Sequence, residues 1–294
     1  MAHGLTPLAG PIDAHVHCWD LVRTPQPWID ASMAVIDRDF GVDALAVHLA
    51  AIGAGSGVLV QADHSVAETE WMLDLAAEST AVAGVVGWVD LDGDPAADLD
   101  RIAAHPASDR FVGVRHLAHI DPDPAWLSRP GVVAGVRALG AAGLAFDLVV
   151  RDHQLAAAAA LAEAAPGTTL VLDHLGNPRL GSSSSETSSF DSWASDLCAL
   201  AQHERVVAKL SGLVLEAAGA ADPTARLREA VGVALDAFGP SRLMAGSDWP
   251  LVLLHPDGAT GWASALDDLL DALSPAEREA IARGTAIAAY GGSA

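Results

Sequence analysis

Ile12-Asp13-Ala14-His15-Val16-His17 is the first strand-like run of the chain, and its ending decides between two α/β architectures. A doubly wound open sheet carries a glycine-rich phosphate turn after its first strand. This run ends instead in two histidines one residue apart. Seven more apolar, β-rich runs start near Gly57, Val82, Phe111, Ala145, Thr169, Val206 and Leu243. Their mean step is about 33 residues, the length of a βαβ unit. Gly57-Val58-Leu59-Val60 and Leu170-Val171-Leu172 show no polar alternation, as parallel strands covered on both faces should. Helical patterns occupy Val66–Ser79, Pro130–Ala142, His153–Ala165 and Pro223–Phe238. Asp94-Pro95, Asp222-Pro223 and Ser274-Pro275 each set a capping side chain before a proline, and Ser274 with Glu277 fits a capping box. Eight strands alternating with helices over about 250 residues predict one α/β domain across 1–294, a (β/α)8 TIM-like barrel.

Composition narrows the partners. The 294 residues carry 16 Lys+Arg against 38 Asp+Glu, a net charge of −22. Such a chain repels phosphate backbones and anionic lipid at long range, which argues against nucleic-acid and membrane partners. Hydrophobic residues make up 51% and charged residues 18%, a globular composition. The mean hydropathy of +0.30 prompts a search for a membrane span. The longest uncharged stretch, Ala44 to Ala62, reads as a helix end, a glycine turn and a strand. Met1–Gly10 has no basic patch followed by an apolar core, so no signal peptide is expected. Cys18 and Cys198 cannot build a disulfide framework, and a reducing cytoplasm is the default location. A homo-oligomer is compatible with the sequence, which specifies no state.

The chemistry-bearing residues sit at strand ends. His15 and His17, two apart on one strand, face the same side and form half of a zinc-type site, or else two structural histidines. Leu243-Met244-Ala245-Gly246-Ser247-Asp248-Trp249-Pro250 places an acid at the end of the last strand. In a barrel that strand neighbours the first, so Asp248 can approach the histidine pair; capping the next turn is its blander role. His174 ends the sixth strand and faces the mouth if Leu172 also faces inward; it could ligate metal, polarise a carbonyl or move a proton. Arg115 offers a planar donor fork at the fourth strand, although Arg115 and His116 cannot both point straight inward. Lys209 lies among apolar residues and needs an anion or a polar ligand. Arg115 and Lys209 could equally be inter-strand ion-pair partners. Trp28, Trp88 and Trp249 offer faces for sugar rings, and Gln61 is a hydroxyl reader. Trp71 and Trp193 read as packing residues. His119 and His48, among other histidines, lack a strand-end position. No nucleophile elbow, phosphate loop or Cys-x-x-Cys occurs. Gly181–Ser189 is serine-rich and predicted to be a mobile loop on the active face, more a tolerated insertion than a lid.

Six pieces in order resemble the amidohydrolase superfamily: Asp13-Ala-His-Val-His-Cys-Trp19, Pro27-Trp28, Gly113-Val-Arg-His116, Leu172-Asp-His-Leu-Gly176, Lys209-Leu-Ser-Gly-Leu213 and Phe238-Gly-Pro-Ser-Arg-Leu-Met-Ala-Gly-Ser-Asp-Trp-Pro250. More narrowly they resemble its sugar-lactone hydrolases, the fuconolactonase-like enzymes and, further off, the pyrone-dicarboxylate lactonases. The resemblance implies a distorted barrel, hydrolysis of an intramolecular ester, and a divalent metal, zinc, near His15, His17, His174 and Asp248. The fifth run, Ala145-Phe-Asp-Leu-Val-Val-Arg151, lacks the histidine many members carry there. His153 substitutes only if the strand extends, so a requirement for metal stays open. The expected mechanism has Asp248 activate water while His174, Arg115 or Lys209 stabilises the oxyanion. With only two strand-end cations the expected substrate is a neutral aldonolactone, unless loop arginines such as Arg23 or Arg151 reach in. A metal-dependent decarboxylase on the same barrel and a non-catalytic sugar-acid binder are the alternatives.

Overall fold

The computed structural model describes residues 4–5, 9–181 and 187–291. Eight strands lie in sequence order in one parallel sheet: β1 Ile12–Val16, β2 Ser56–Val60, β3 Val82–Gly87, β4 Phe111–His116, β5 Ala145–Leu148, β6 Leu170–Leu172, β7 Val206–Leu210 and β8 Leu243–Ala245. Each predicted strand start falls within a residue of an observed one. Among the helices are α1 Val42–Ile52, α2 Val66–Glu78, α3 Pro95–Ala103, α4 Pro130–Ala141, α5 Leu155–Ala164, α6 Thr187–Leu200, α7 Leu213–Glu216, α8 Pro223–Phe238, α9 Gly258–Leu269, α10 Pro275–Glu279 and α11 Thr285–Tyr290. The caps behave as their side chains dictate. Asp94 and Asp222 accept from the amides of Ala97 and Ala225, and Ser274 forms a complete capping box with Glu277. The serine-rich loop falls mainly on residues 182–186, outside the described residues.

The barrel closes just past the end of β8. The three-residue β8 stops short, and the seam is made by Val16 bridging to Trp249. Asp248 donates its amide to the His15 carbonyl at 2.9 Å, and His17 donates its amide to the Trp249 carbonyl at 2.7 Å. Gly246 permits this approach, since a Cβ there would lie 2.9 Å from the His15 Cβ. Chain closure itself therefore carries Asp248 to the histidine pair.

Two apolar layers hold the fold. The larger lies between sheet and helices and takes in Trp71 and Trp193. The smaller fills the lumen with Ile12, Ala14, Val58, Val60, Val86, Val112, Val171 and Met244, and Ala286 and Tyr290 of α11 pack against its floor. Branched side chains from alternating positions make this a packed core rather than a pore. Among the described residues no helix is long and apolar enough to cross a membrane. Cys18 is buried and Cys198 exposed, and both are free.

Glu68, in the first turn of α2, is 1% exposed. Its carboxylate accepts from the amides of Ala62 and Asp63 and so fixes the loop after β2. Burial pushes its pKa from the ordinary 4.5 up to about 7, outweighing the two amides. Between those values the folded state holds a proton that the unfolded state has released. The contribution is present in full below pH 4.5 and lost as pH rises through 7. The Tm difference of wild type minus Glu68→Gln should therefore fall as pH rises from 4.5 to 7 and then stay flat. A calorimetric pH series showing a constant difference would contradict this.

Candidate active site

A buried charge cluster lies beneath the mouth of the barrel. Lys209, the fourth residue of β7, is fully buried. Its Nζ donates to Asp147 Oδ2 at 2.6 Å and pairs with Asp173 Oδ1 at 2.9 Å. Arg115 donates to Asp173 Oδ2 at 3.1 Å and to the Gln61 carbonyl, while Gln61 Nε2 donates to the Arg115 carbonyl at 3.1 Å. Tyr290 reaches up from α11 and donates its hydroxyl to Asp147 Oδ2 at 2.7 Å. Two carboxylates thus meet two cations, which is what allows four such groups to be buried together. Burial alone would raise the Asp173 pKa, but Lys209, His15 and Arg115 outweigh it and hold the group well below the carboxylate range. Burial pushes Asp147 upward against Lys209.

Above the cluster stands His15. Its Nδ1 lies 3.2 Å from Asp173 Oδ1, and its Nε2 lies 3.3 Å from an Arg115 donor. Burial lowers its pKa well below the ordinary value and keeps the ring neutral. His15 Nδ1 also lies 3.1 Å from Lys209 Nζ, so the ring faces a donor at each nitrogen and an acceptor, Asp173, only at Nδ1; a proton on Nδ1 leaves the Nε2 lone pair toward Arg115. His17 is likewise lowered by burial, and its Nδ1 donates to the Val60 carbonyl at 2.7 Å. Both Nε2 lone pairs consequently point the same way. They are 3.2 Å apart, and Asp248 Oδ1 lies 3.4 Å from His17 Nε2 and 3.7 Å from His15 Nε2. Asp248 Oδ1 is buried without a hydrogen-bond partner. Burial works to raise the Asp248 pKa, yet His174, His17 and His15 prevail and hold it below the usual range.

Three acceptors converge here, and the one donor among the described residues that reaches them, Arg115, lies 3.3 Å from His15 Nε2 alone; they repel one another unless a cation or a proton intervenes. A tetrahedral zinc with bonds of about 2.0–2.1 Å spaces its ligands about 3.3 Å apart. The observed triangle fits that spacing, and far ring nitrogens set against a carboxylate, as His15 Nδ1 is at 3.2 Å from Asp173, or bonded to a carbonyl, as His17 Nδ1 is to Val60, are the usual support of histidine ligands. His15, His17 and Asp248 are thus the residues able to hold a divalent metal. His174 falls in a different triplet, with His15 and Asp173.

The cavity above has a volume of about 330 Å³, in the range of small-molecule sites. His17, Trp28, Arg115, His174 and Asp248 line it. His174 arrives there by a route that strand alternation does not give. Leu172 packs outward and Val171 fills the lumen, so alternation alone would turn His174 away. The chain instead leaves strand geometry, with His174 at φ 52° and Leu175 at φ 52°. Asp248 is also left-handed, at φ 61°. Such positions cost of order 1–3 kcal/mol each and persist where the surroundings impose them. Ser211 Oγ holds His174 Nδ1 at 2.9 Å.

Other sequence-selected residues lie elsewhere. Lys209 and His15 are below the cavity, and Gln61 braces Arg115. His116 turns away from the cavity, stacks on Trp126 at 3.6 Å and bonds Asp121 at 2.8 Å, because Arg115 next to it takes the inward position. Trp88 donates to His116 and stacks on His64, and Trp249 stacks on His48 at 5.0 Å. Arg23 pairs with Asp74 on the surface. His153 cannot replace a strand-five histidine: β5 ends at Leu148, and the 64%-exposed His153 side chain pairs with Asp152. Conversely, Arg151 does reach the cavity, with His119, Asn177, Glu216 and Leu251. His119 Nδ1 is buried without a hydrogen-bond partner, and burial lowers its pKa to about 3.

Asp13, His48 and Ser247 also meet, at 3.0 and 3.1 Å. Both contacts use His48 Nε2, so the three cannot relay a proton as a nucleophilic triad must. They brace the seam, and Asp13 and Ser247 edge a separate, mainly apolar cavity of about 210 Å³.

Gly212 has φ 68°, and a Cβ there would lie 2.7 Å from His174 Nδ1. Gly212→Ala should displace the His174 ring and break its bond to Ser211. The expected result is a loss of about 1–3 kcal/mol in stability and a fall in turnover well beyond what the change in Tm explains. Wild-type turnover and Tm in this variant would contradict the placement of His174.

The Amidohydrolase family profile matches residues 12–292. The chain is 36% identical over 290 residues, 95% of each protein, to an L-fucono-1,5-lactonase of Burkholderia multivorans. It is 35% identical over 283 residues to an L-fucono-1,5-lactonase of Burkholderia ambifaria, covering 95% of this chain and 94% of that protein. A crystal structure of an amidohydrolase from Burkholderia multivorans with bound zinc superposes at a TM-score of 0.88, with 36% identity over 96% of this chain and 99% of that one. With its barrel, its His15-x-His17 pair and its Asp248 at the closing seam, the chain belongs to the amidohydrolase family.

Proposed function

We propose that this protein hydrolyses a neutral sugar lactone, with Asp248 as the base. The observation that carries the reading is the buried Asp248 Oδ1, without a hydrogen-bond donor and facing two histidine lone pairs at the cavity floor. Lactone hydrolysis is also the activity named for the Burkholderia relatives.

Asp248, held ionised, takes a proton from a water placed between it and the lactone carbonyl. The hydroxide adds to the carbonyl carbon. Arg115, whose Nε has no hydrogen-bond partner, and His174 flank the growing oxyanion. The protonated Asp248 then returns its proton to the ring oxygen as the acyl C–O bond breaks, leaving an aldonic acid with a free hydroxyl, whose carboxyl proton passes to solvent. Lys209 stays below and keeps Asp173 in place beneath His15. We infer that His15, His17 and Asp248 hold zinc; when bound, it lowers the pKa of a water and polarises the carbonyl.

The walls favour one substrate class. Met33, Leu117, Ile120, Val149, Leu215 and Leu251 are among the lining residues and give the cavity apolar wall. Such a wall suits a lactone whose far end is a methyl group, as in a 6-deoxy sugar acid.

Asp248→Asn should lower kcat/KM for L-fucono-1,5-lactone by about 10²–10⁴ in a pH-indicator assay, with the circular dichroism unchanged. Wild-type turnover in that variant would remove Asp248 from the mechanism. Zinc added to chelator-treated protein should bind at about one equivalent by equilibrium dialysis, and His17→Ala should lose that binding. Undiminished zinc in His17→Ala would refute the proposed ligand set.

A further inference from the structure

Arg151 follows β5, and Glu216 ends α7, after β7. Both line the cavity, and Arg151 lies 3.1 Å from Glu216 Oε1. The pair is partly exposed, 43% for Arg151 and 23% for Glu216, and therefore adds little to stability. Its place matters more than its strength. The only other guanidinium lining the cavity among the described residues, Arg115, is held by Asp173 and the Gln61 carbonyl, with its remaining Nε assigned above to the oxyanion. The neighbouring Asp152 pairs with Arg179 at 3.1 Å and with His153, so it does not compete for Arg151. The Arg151 backbone is tied down on both sides. Its amide donates to Gln154 Oε1 at 2.8 Å, and Asn177 Nδ2 donates to the Val150 carbonyl at 2.7 Å. The root of the Arg151 side chain therefore stays at the wall whatever stands opposite.

We infer that Glu216 is a specificity-determining residue, which masks Arg151 and makes the cavity reject lactones bearing a carboxylate. The inference rests on the lactone hydrolysis proposed above and adds to it the charge of the substrate. A substrate carboxylate approaching Arg151 meets the Glu216 charge beside it, and like charges brought together repel. Removing that charge while keeping the shape leaves a planar donor fork of the kind that binds carboxylates bidentately. Selectivity for the neutral substrate thus comes from a repulsive element rather than from the lack of a cation.

The test compares L-galactono-1,4-lactone with galactaro-1,4-lactone, which carry a hydroxymethyl group and a carboxylate at the far carbon. Wild type should favour the neutral lactone. Glu216→Gln should shift the ratio of kcat/KM values toward the carboxylate lactone by about tenfold or more, and Arg151→Gln combined with Glu216→Gln should abolish the shift. Glu216→Ala carries the same expectation if the glutamine variant does not fold. A ratio in Glu216→Gln within about twofold of wild type, or a shift that survives in the double variant, overturns the inference and leaves lactone hydrolysis standing. A wild type that opens neither these lactones nor L-fucono-1,5-lactone overturns the underlying function instead.

Discussion

Lys209 sits fully buried between Asp147 and Asp173, and the site above depends on that arrangement. A lone ammonium in the lumen would be prohibitively costly, and so would either carboxylate without it. Together with Arg115 and the Tyr290 hydroxyl they form a neutral set spanning β4, β5, β6, β7 and α11. Asp173 then has a fixed position and charge, and its Oδ1 lies 3.2 Å from His15 Nδ1. That contact fixes which nitrogen of His15 faces the cavity. Lys209 thus stands at one remove from the cavity, beneath the His15 ring it helps to place.

Chain closure supplies the other half of the site. A TIM-like barrel must join its last strand to its first, and here the joining residues are 248 and 249 rather than β8 proper. The seam forces Asp248 into a left-handed conformation with its carboxylate over His15 and His17. His174 enters through a second left-handed turn after β6. Asp248 and His174, to which the proposed chemistry is assigned, stand where strand geometry ends, so they overhang the cavity instead of following the alternation beneath it. The Asp13–His48–Ser247 group stiffens the seam from outside.

How far the sequence reveals this depends on how local each signal is. The eight strands, the proline-marked helix starts and the pair His15 and His17 follow from short-range patterns and are legible. Asp248 is legible because a strand-end acid in a barrel has a known neighbour. Lys209 among apolar residues needs an anion, and Asp147 and Asp173 supply two. Its position one residue before the end of β7 sets it below the rim, away from any oxyanion. The same cost argument applies to Asp147, an aspartate within the apolar fifth run, but the sequence names no partner for it. Asp173 was hidden beside His174, since alternation allows only one of them to face inward and the left-handed turn admits both. His119 and Glu216 lie beyond strand ends. Their approach to the cavity depends on tertiary contacts such as the His119 amide donating to the Val149 carbonyl, which no spacing rule encodes.

The state of the His15 ring is where these threads meet. Long-range ¹H–¹⁵N correlation spectra of protein labelled at histidine, with His15 assigned by substitution, report which ring nitrogen bears the proton. The account predicts a neutral ring at pH 7 with the proton on Nδ1 and a lone pair, free or metal-bound, at Nε2. An imidazolium, or a proton resident on Nε2, would contradict it.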